Sequence, residues 1–303
     1  MSNILLIGGT GFLGSAVVRE LARRPASANF QFTLPTRRRD KAKHLLVLPT
    51  ADVVDADVHD PATLARLMQA QDAVISLVGV LKGGEGQPYG SGFAHAHVEL
   101  PRKIAAAARA AGVRRVLHVS ALQAAADAPS GYLRSKAAGE AVLREAGLDL
   151  TIFRPSVIFG PGDAFLKLFA RMARIAPFFP LAGADARFQP VWVEDVAATI
   201  ADSLQRAESI GASYDLCGPR QYSLRQLVKY AAAAGGHPRL VIGLPPAVAW
   251  LQAWAMEFIP NGPMTRDNIR SMRVASVCDS GCSLPFGRVA TPLELVAPTY
   301  LRG

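Results

Sequence analysis

The residues nearest the start of the chain that could do chemistry are glycines. In Ile4-Leu5-Leu6-Ile7-Gly8-Gly9-Thr10-Gly11-Phe12-Leu13-Gly14, an apolar run is followed by Gly8, Gly11 and Gly14 at GxxGxxG spacing. Gly8 permits a tight turn, Gly11 lets the backbone approach a pyrophosphate, and Gly14 lets a helix pack on the preceding strand. A helix opening at this turn offers free N–H groups and a partial positive charge to phosphate. Thr10, Phe12 and Leu13 then surround the ligand, and the turn predicts dinucleotide binding. The second apolar run ends in Thr36-Arg37-Arg38, where an NAD-preferring site carries an acid for the ribose diol. Arg37 and Arg38 suit a 2′-phosphate instead, through charge-assisted bonds, so NADP(H) is favoured and NAD(H) is the alternative. A solvated basic turn is the plainer reading of the same pair. Asp57 is placed to accept from the adenine amino group.

Such a turn works only on a sheet. Short apolar runs at 3–7, 30–35, 52–54, 72–78, 115–119 and 150–153 read as strands, and the patterns at 14–24, 61–70, 100–111 and 132–146 read as helices. This alternation predicts an α/β fold of the Rossmann type, a doubly wound parallel sheet with helices on both faces. Residues 1–160 form the dinucleotide domain, rejoined by about 186–205. Frequent prolines after Pro155 mark a smaller, irregular C-terminal substrate or partner domain over 161–303. The Gly-rich loop from Gly79 to Gly92 follows the fourth strand, on the ligand side of such a sheet, and reads as a lid or as a surface loop.

The bulk composition bounds the rest. The chain has 303 residues, half of them apolar, and a formal charge of +9. That charge suits nucleic acid, an anionic membrane or a phosphorylated ligand. No nucleic-acid signature accompanies it, and the basic cluster from Arg37 to Lys43 fits phosphate better. The apolar stretch from Leu240 to Pro260 is broken by Pro245-Pro246 and does not read as a membrane span. The N-terminus lacks the pattern of a signal peptide, which predicts a cytoplasmic protein. Cys217, Cys278 and Cys282 predict neither a disulfide nor a zinc site, in keeping with a reducing compartment, with Cys278 and Cys282 read as unliganded thiols.

The glycine turn, Asp57, Tyr132-Leu133-Arg134-Ser135-Lys136, the run Arg154 to Gly160 and the run Val191 to Ala197 occur in the order of the extended and atypical short-chain dehydrogenases/reductases, a superfamily that also holds epimerase-like proteins. The chain resembles that superfamily over nearly its whole length. Within it, His118 to Leu122, Tyr132 to Lys136 and Arg154 to Asp163 look like the dinucleotide-binding accessory subunit of respiratory complex I and its bacterial relatives. The resemblance implies a site of Tyr132, Lys136 and Ser120, with Val78 and Pro155 beside the cofactor. Tyr132 and Lys136 share a helical face, so the ammonium is expected to lower the phenol pKa while holding the nicotinamide ribose. The phenol then exchanges a proton with a substrate hydroxyl or carbonyl. Two positions depart from the family pattern. The hydroxyl position falls nearer Leu122 than Ser120, and His97 stands where an asparagine is common.

Other features have structural readings. His95 and His97 lack a third metal ligand nearby. Glu194-Asp195 is expected to cap the following helix. The helix expected from Pro246 to Phe258 is apolar nearly all round, which predicts burial as core or substrate-pocket lining; a hydrophobic partner, a lipid-like substrate or peripheral membrane attachment is the sharper alternative. Two functions follow. One is an NADP(H)-holding protein in a structural, assembly or redox-sensing role near complex I or quinone metabolism, peripheral at the inner face of a membrane. The other is an active oxidoreductase or epimerase on a quinone precursor, a nucleotide sugar or a similar small molecule.

Overall fold

A computed structural model describes residues 2–24, 30–259, 262–279 and 284–302. The first half runs β1 (Ser2–Ile7), α1 (Phe12–Ala22), β2 (Phe30–Thr36), β3 (Ala51–Asp55), α2 (Pro61–Met68), β4 (Ala73–Ser76), α3 (Ser91–Ala94), α4 (Leu100–Ala111), β5 (Arg115–Val119), α5 (Gly131–Glu145) and β6 (Asp149–Pro155). The second half runs β7 (Ile158–Phe159), α6 (Leu166–Ile175), β8 (Phe178–Leu181), β9 (Arg187–Phe188), β10 (Val191–Trp192), α7 (Val193–Gln205), β11 (Ser213–Leu216), β12 (Tyr222–Ser223), α8 (Leu224–Ala234), β13 (Leu240–Gly243), α9 (Pro246–Glu257), α10 (Arg266–Ser271) and α11 (Leu293–Leu301).

The central sheet has seven parallel strands in the order β11-β6-β5-β4-β1-β2-β3. It is the Rossmann arrangement expected from the alternation. Strand β1 shows why its apolar run is continuous: Ile4 and Leu6 face α1 and α7, while Leu5 and Ile7 face α2 and α4. Each such side chain removed from water contributes about 1.5–3 kcal/mol, so a strand covered on both faces is held mainly by its core.

The seventh strand, β11, was not foreseen. Its Ser213-Tyr214-Asp215-Leu216 lies at an edge and buries only Leu216, so it lacks the apolar run that marks the inner strands. Helix α7 packs on α1 across one face of the sheet. Glu194 and Asp195 open α7 without capping it: Glu194 pairs with Arg19 at 2.8 Å, and Asp195 accepts from the Thr291 amide and hydroxyl.

The outer part of the molecule packs α6, α8 and α11 around Phe159, Leu166 and Leu227, beside a second cluster containing Phe179, Leu181, Val228 and Val241. Here two sequence readings fail. Cys217, just after β11, is disulfide-bonded to Cys278, 61 residues later. The fold joins them because the chain around Ser276 runs beside Phe188 and Gln189, bringing Cys278 to the sheet edge; Cys282 lies outside the described residues. The cysteine argument for a reducing compartment falls with this bond. Helix α9 is also not core: it buries Ala249 and Ala253, whereas Leu251 and Phe258 are 59% and 72% exposed. Among the described residues, no helix is long and apolar enough to cross a membrane.

Candidate functional site at the carboxyl edge of the sheet

Parallel strands direct their carboxyl ends to one edge, and there the expected residues meet. Gly8 leaves β1 with φ +88°, a conformation that disfavours any side chain. A Cβ on Gly14 would lie 2.2 Å from Gly8 O, so α1 can approach the turn only without one. Gly11 is the N-cap of α1 and supplies no capping side chain. The N–H groups of the first turn, starting at Phe12 and Leu13, therefore have no partner within the helix and suit a pyrophosphate. Thr10 Oγ1 lies 3.5 Å from Thr36 Oγ1, which ties this turn to the end of β2.

Arg37 and Arg38 follow β2, exposed and without an ion pair among the described residues. The Arg38 amide donates to Thr36 Oγ1 at 3.2 Å, leaving its side chain uncommitted. Asp57 is exposed beyond β3 and accepts from the His59 amide at 3.0 Å. The glycine cradle, the open helix end and two unpaired guanidinium groups together fit a dinucleotide. Among the described residues no group of three or more His, Cys, Asp or Glu is placed to hold a metal.

Helix α5 carries the other half of the site. Ser130 caps it by accepting from the Leu133 amide at 3.2 Å, and Asp267 of α10 accepts from the Gly131 and Tyr132 amides at 2.7 and 3.0 Å. Asp267 thus holds the N-terminus that carries Tyr132. No local signal marked it, because it comes from 135 residues downstream. Lys136 lies one turn along α5 and donates from Nζ to Val78 O and Val119 O, each at 3.2 Å. Gly79 makes room for it, since a Cβ there would meet Nζ at 3.3 Å.

The electrostatics correct the expected coupling. Burial pushes the Tyr132 phenol up to about 12, and the same effect pulls Lys136 down to about 8, opposed by Glu140. Lys136 is engaged with two carbonyls and does not draw the phenol down. Burial therefore favours the neutral phenol at Tyr132.

His97 sits in a π-helical turn, His95–Glu99, between α3 and α4. Ser135 Oγ donates to Tyr132 O at 2.7 Å, so His97 Nδ1 donates to Ser135 Oγ at 2.9 Å, and Nε2 accepts from the Val80 amide at 2.9 Å. One neutral tautomer satisfies all three bonds, consistent with a pKa pulled down to about 2 by burial, with Lys136 adding to the effect. The imidazole thus bridges the Val80 backbone and α5. It also meets Tyr132 edge-on, with ring centroids 5.6 Å apart.

The end of β5 is unusual. Leu117 and Val119 face the α1 side, so alternation turns His118 and Ser120 toward α5. Both are buried, and among the described residues Ser120 Oγ and both His118 ring nitrogens have no hydrogen-bond partner. Leu122 is buried against the Cys217–Cys278 bond, and its amide donates to Pro155 O at 3.1 Å. Pro155 itself is buried at the end of β6. A cleft of about 230 Å³ is lined by Lys82, Phe93, Met256, Glu257, Thr265 and Asp267; Tyr132 does not line it but meets Phe93 of its wall, with ring centroids 6.0 Å apart. The Gly-rich loop forms one wall and is tied to α10 by Glu85–Arg270 at 3.0 Å and to α5 by Arg134 Nε donating to Pro88 O at 2.7 Å.

Residues 8–164 match the NAD(P)H-binding family. The chain is 31% identical over 313 residues to rat mitochondrial NADH dehydrogenase [ubiquinone] 1 alpha subcomplex subunit 9, covering 98% of this chain and 79% of the relative. It is 33% identical over 263 residues to the ceramide reductase of Caulobacter vibrioides, covering 83% and 78%. Among solved structures, an NADPH-dependent quinone oxidoreductase of Escherichia coli superposes with a TM-score of 0.78 at 22% identity, covering 98% of this chain and 99% of that one. The sheet order, the glycine cradle and these matches agree: the chain belongs to the NAD(P)H-binding Rossmann family, with relatives that include the complex I alpha subcomplex subunit 9 and a bacterial ceramide reductase.

Proposed function

We propose that this protein is an NADPH-dependent reductase of an apolar carbonyl compound, of the quinone or lipid class. The observation that carries this reading is Tyr132, a phenol kept protonated by burial, packed against Phe93 of the cleft wall and one helical turn from Lys136. Bound NADPH would supply the hydride. The first turn of α1 binds the pyrophosphate, Arg37 and Arg38 hold the 2′-phosphate, and Lys136 at Val78 and Val119 holds the nicotinamide ribose. Tyr132 Oη gives its proton to the alkoxide oxygen as it develops. A phenol with a raised pKa is suited to that direction and ill suited to act as the base of the reverse reaction. Ser120 Oγ, buried without a partner on the same face of β5, is the hydroxyl available to orient the substrate oxygen. Phe93 and Met256 favour an apolar substrate body, and the printed names of the reductase relatives point the same way.

The test is NADPH oxidation with a short-chain quinone and with an oxidised long-chain ceramide. Tyr132→Phe lowers turnover by roughly 10²–10⁴-fold while NADPH affinity stays within a few-fold. Retained turnover in that variant contradicts the assignment of the proton.

A second reading, in which the dinucleotide is held as part of a larger assembly, is favoured by Leu122. Its side chain is buried against the disulfide, and the resemblance implies the hydroxyl position nearer to it than to Ser120. On that reading NADPH co-purifies with the native protein and is not oxidised by either substrate. Complex I partners, or another protein partner, co-purify with it.

A further inference from the structure

Helix α9 is turned inside out relative to a helix in water. Its polar side chains face the protein: Gln252 Nε2 donates to Pro180 O at 3.1 Å, and Glu257 pairs with Arg266 at 2.8 Å. The opposite face is apolar. Ala247, Leu251, Trp254 and Phe258 fall within an arc of about 60° at 100° per residue. Trp254 and Phe258 meet edge-on, with centroids 5.1 Å apart, at exposures of 45% and 72%.

The patch extends beyond the helix. Strand β13 feeds α9 through Leu244-Pro245, and its outward side chains Leu240 and Ile242 are exposed beside Phe178 of the paired β8 and Ile175 at the end of α6. Nine of the fifteen large apolar side chains exposed among the described residues lie within 175–178 and 240–259. Apolar exposure of that concentration marks a contact surface.

Its border is basic. Helix α6 carries Lys167, Arg171 and Arg174 and no acidic residue, with both arginines exposed. Arg239 joins them by donating to Ala173 O at 2.9 Å. None of these four cations is in an ion pair among the described residues.

We propose that α9 and the outer face of β8 and β13 dock on an anionic lipid bilayer. Trp254, Phe258, Leu251 and Val248 enter the boundary between headgroups and acyl chains, while Arg171, Arg174 and Arg239 meet the headgroup phosphates. A second copy of the chain is a poorer occupant, because a two-fold contact over this patch brings the same arginine border against itself. The inner side of α9 contributes Met256 and Glu257 to the cleft whose Phe93 packs on Tyr132, so docking places that cleft at the membrane surface. The inference stands whether or not the protein is a reductase.

The experiment is sedimentation of the full chain with phosphatidylcholine vesicles, with and without phosphatidylglycerol, alongside tryptophan emission. Binding is expected to the anionic vesicles, to weaken with salt and to shift the emission to the blue, with Trp254→Phe removing the shift. Trp254→Ser with Phe258→Ser reduces binding about tenfold or more, and unchanged NADPH affinity verifies the fold. Arg171→Glu with Arg174→Glu removes the salt-dependent part. Three results would overturn the proposal: no binding to anionic vesicles, equal binding by wild type and the Trp254/Phe258 variant, or a dimer in solution that this same variant abolishes.

Discussion

At the carboxyl edge of the sheet, groups left without partners among the described residues include polar ones turned inward, Ser120 Oγ and the His118 imidazole. On α9 they are apolar and turned outward: Leu251, Trp254 and Phe258. In a folded chain both patterns are unfavourable unless something else completes them. On the readings proposed above, a dinucleotide and its substrate complete the first and a membrane completes the second. Helix α9 also lines the cleft whose Phe93 packs on Tyr132.

The largest separation of the two regions comes from Gly14→Val. A side chain placed 2.2 Å from Gly8 O forces α1 away from the turn, at about 3 kcal/mol or more. NADPH binding is lost, and vesicle binding through α9 persists in whatever protein remains folded. Loss of both together would show that the regions are not independent.

Reduction of the Cys217–Cys278 bond has a comparable but global effect. Opening a link across 61 residues of chain lowers stability by about 4 kcal/mol on loop-closure grounds. Thermal unfolding with and without dithiothreitol measures it, and a Cys217→Ser variant should show no such difference. The bond packs on Leu122, so reduction is also expected to weaken NADPH binding more than vesicle binding.

Acidification bears on the polar region through its buried histidines. Burial holds His118 at about 3 and His97 at about 2, against an ordinary 6.5. Below pH 6.5 the unfolded chain takes up protons that the folded chain refuses, so stability falls as pH drops from 6.5 toward 3. At pH 5 each histidine accounts for a loss of about 2 kcal/mol. Urea unfolding of His118→Phe at pH 7 and pH 5 checks this: the variant should lose less stability between the two than the wild type does.

Legibility in the sequence followed the range of the interactions. The turn from β1 into α1 and the face shared by Tyr132 and Lys136 depend on neighbours within a helical turn or two, so their spacing carries the information. Asp267 under the start of α5, the Cys217–Cys278 bond and β11 at the sheet edge depend on partners more than 50 residues away, and no local pattern encodes them. The rise in the Tyr132 pKa is likewise set by burial between Phe93, His97 and α5, against the local expectation drawn from Lys136. Of the two expectations for helix α9, core and pocket lining, the first fails for a related reason. Its composition reads as core, and only the placement of Gln252 and Glu257 reveals that the apolar side faces out.

The central claim is that the sheet edge is built for a phosphorylated dinucleotide, and calorimetric titration of the wild-type chain with NADPH and with NADH tests it most directly. Charge-assisted contacts from Arg37 and Arg38 predict NADPH binding tighter by about tenfold or more, a preference that disappears when both are replaced by alanine. Equal affinities in the wild-type protein would contradict the claim.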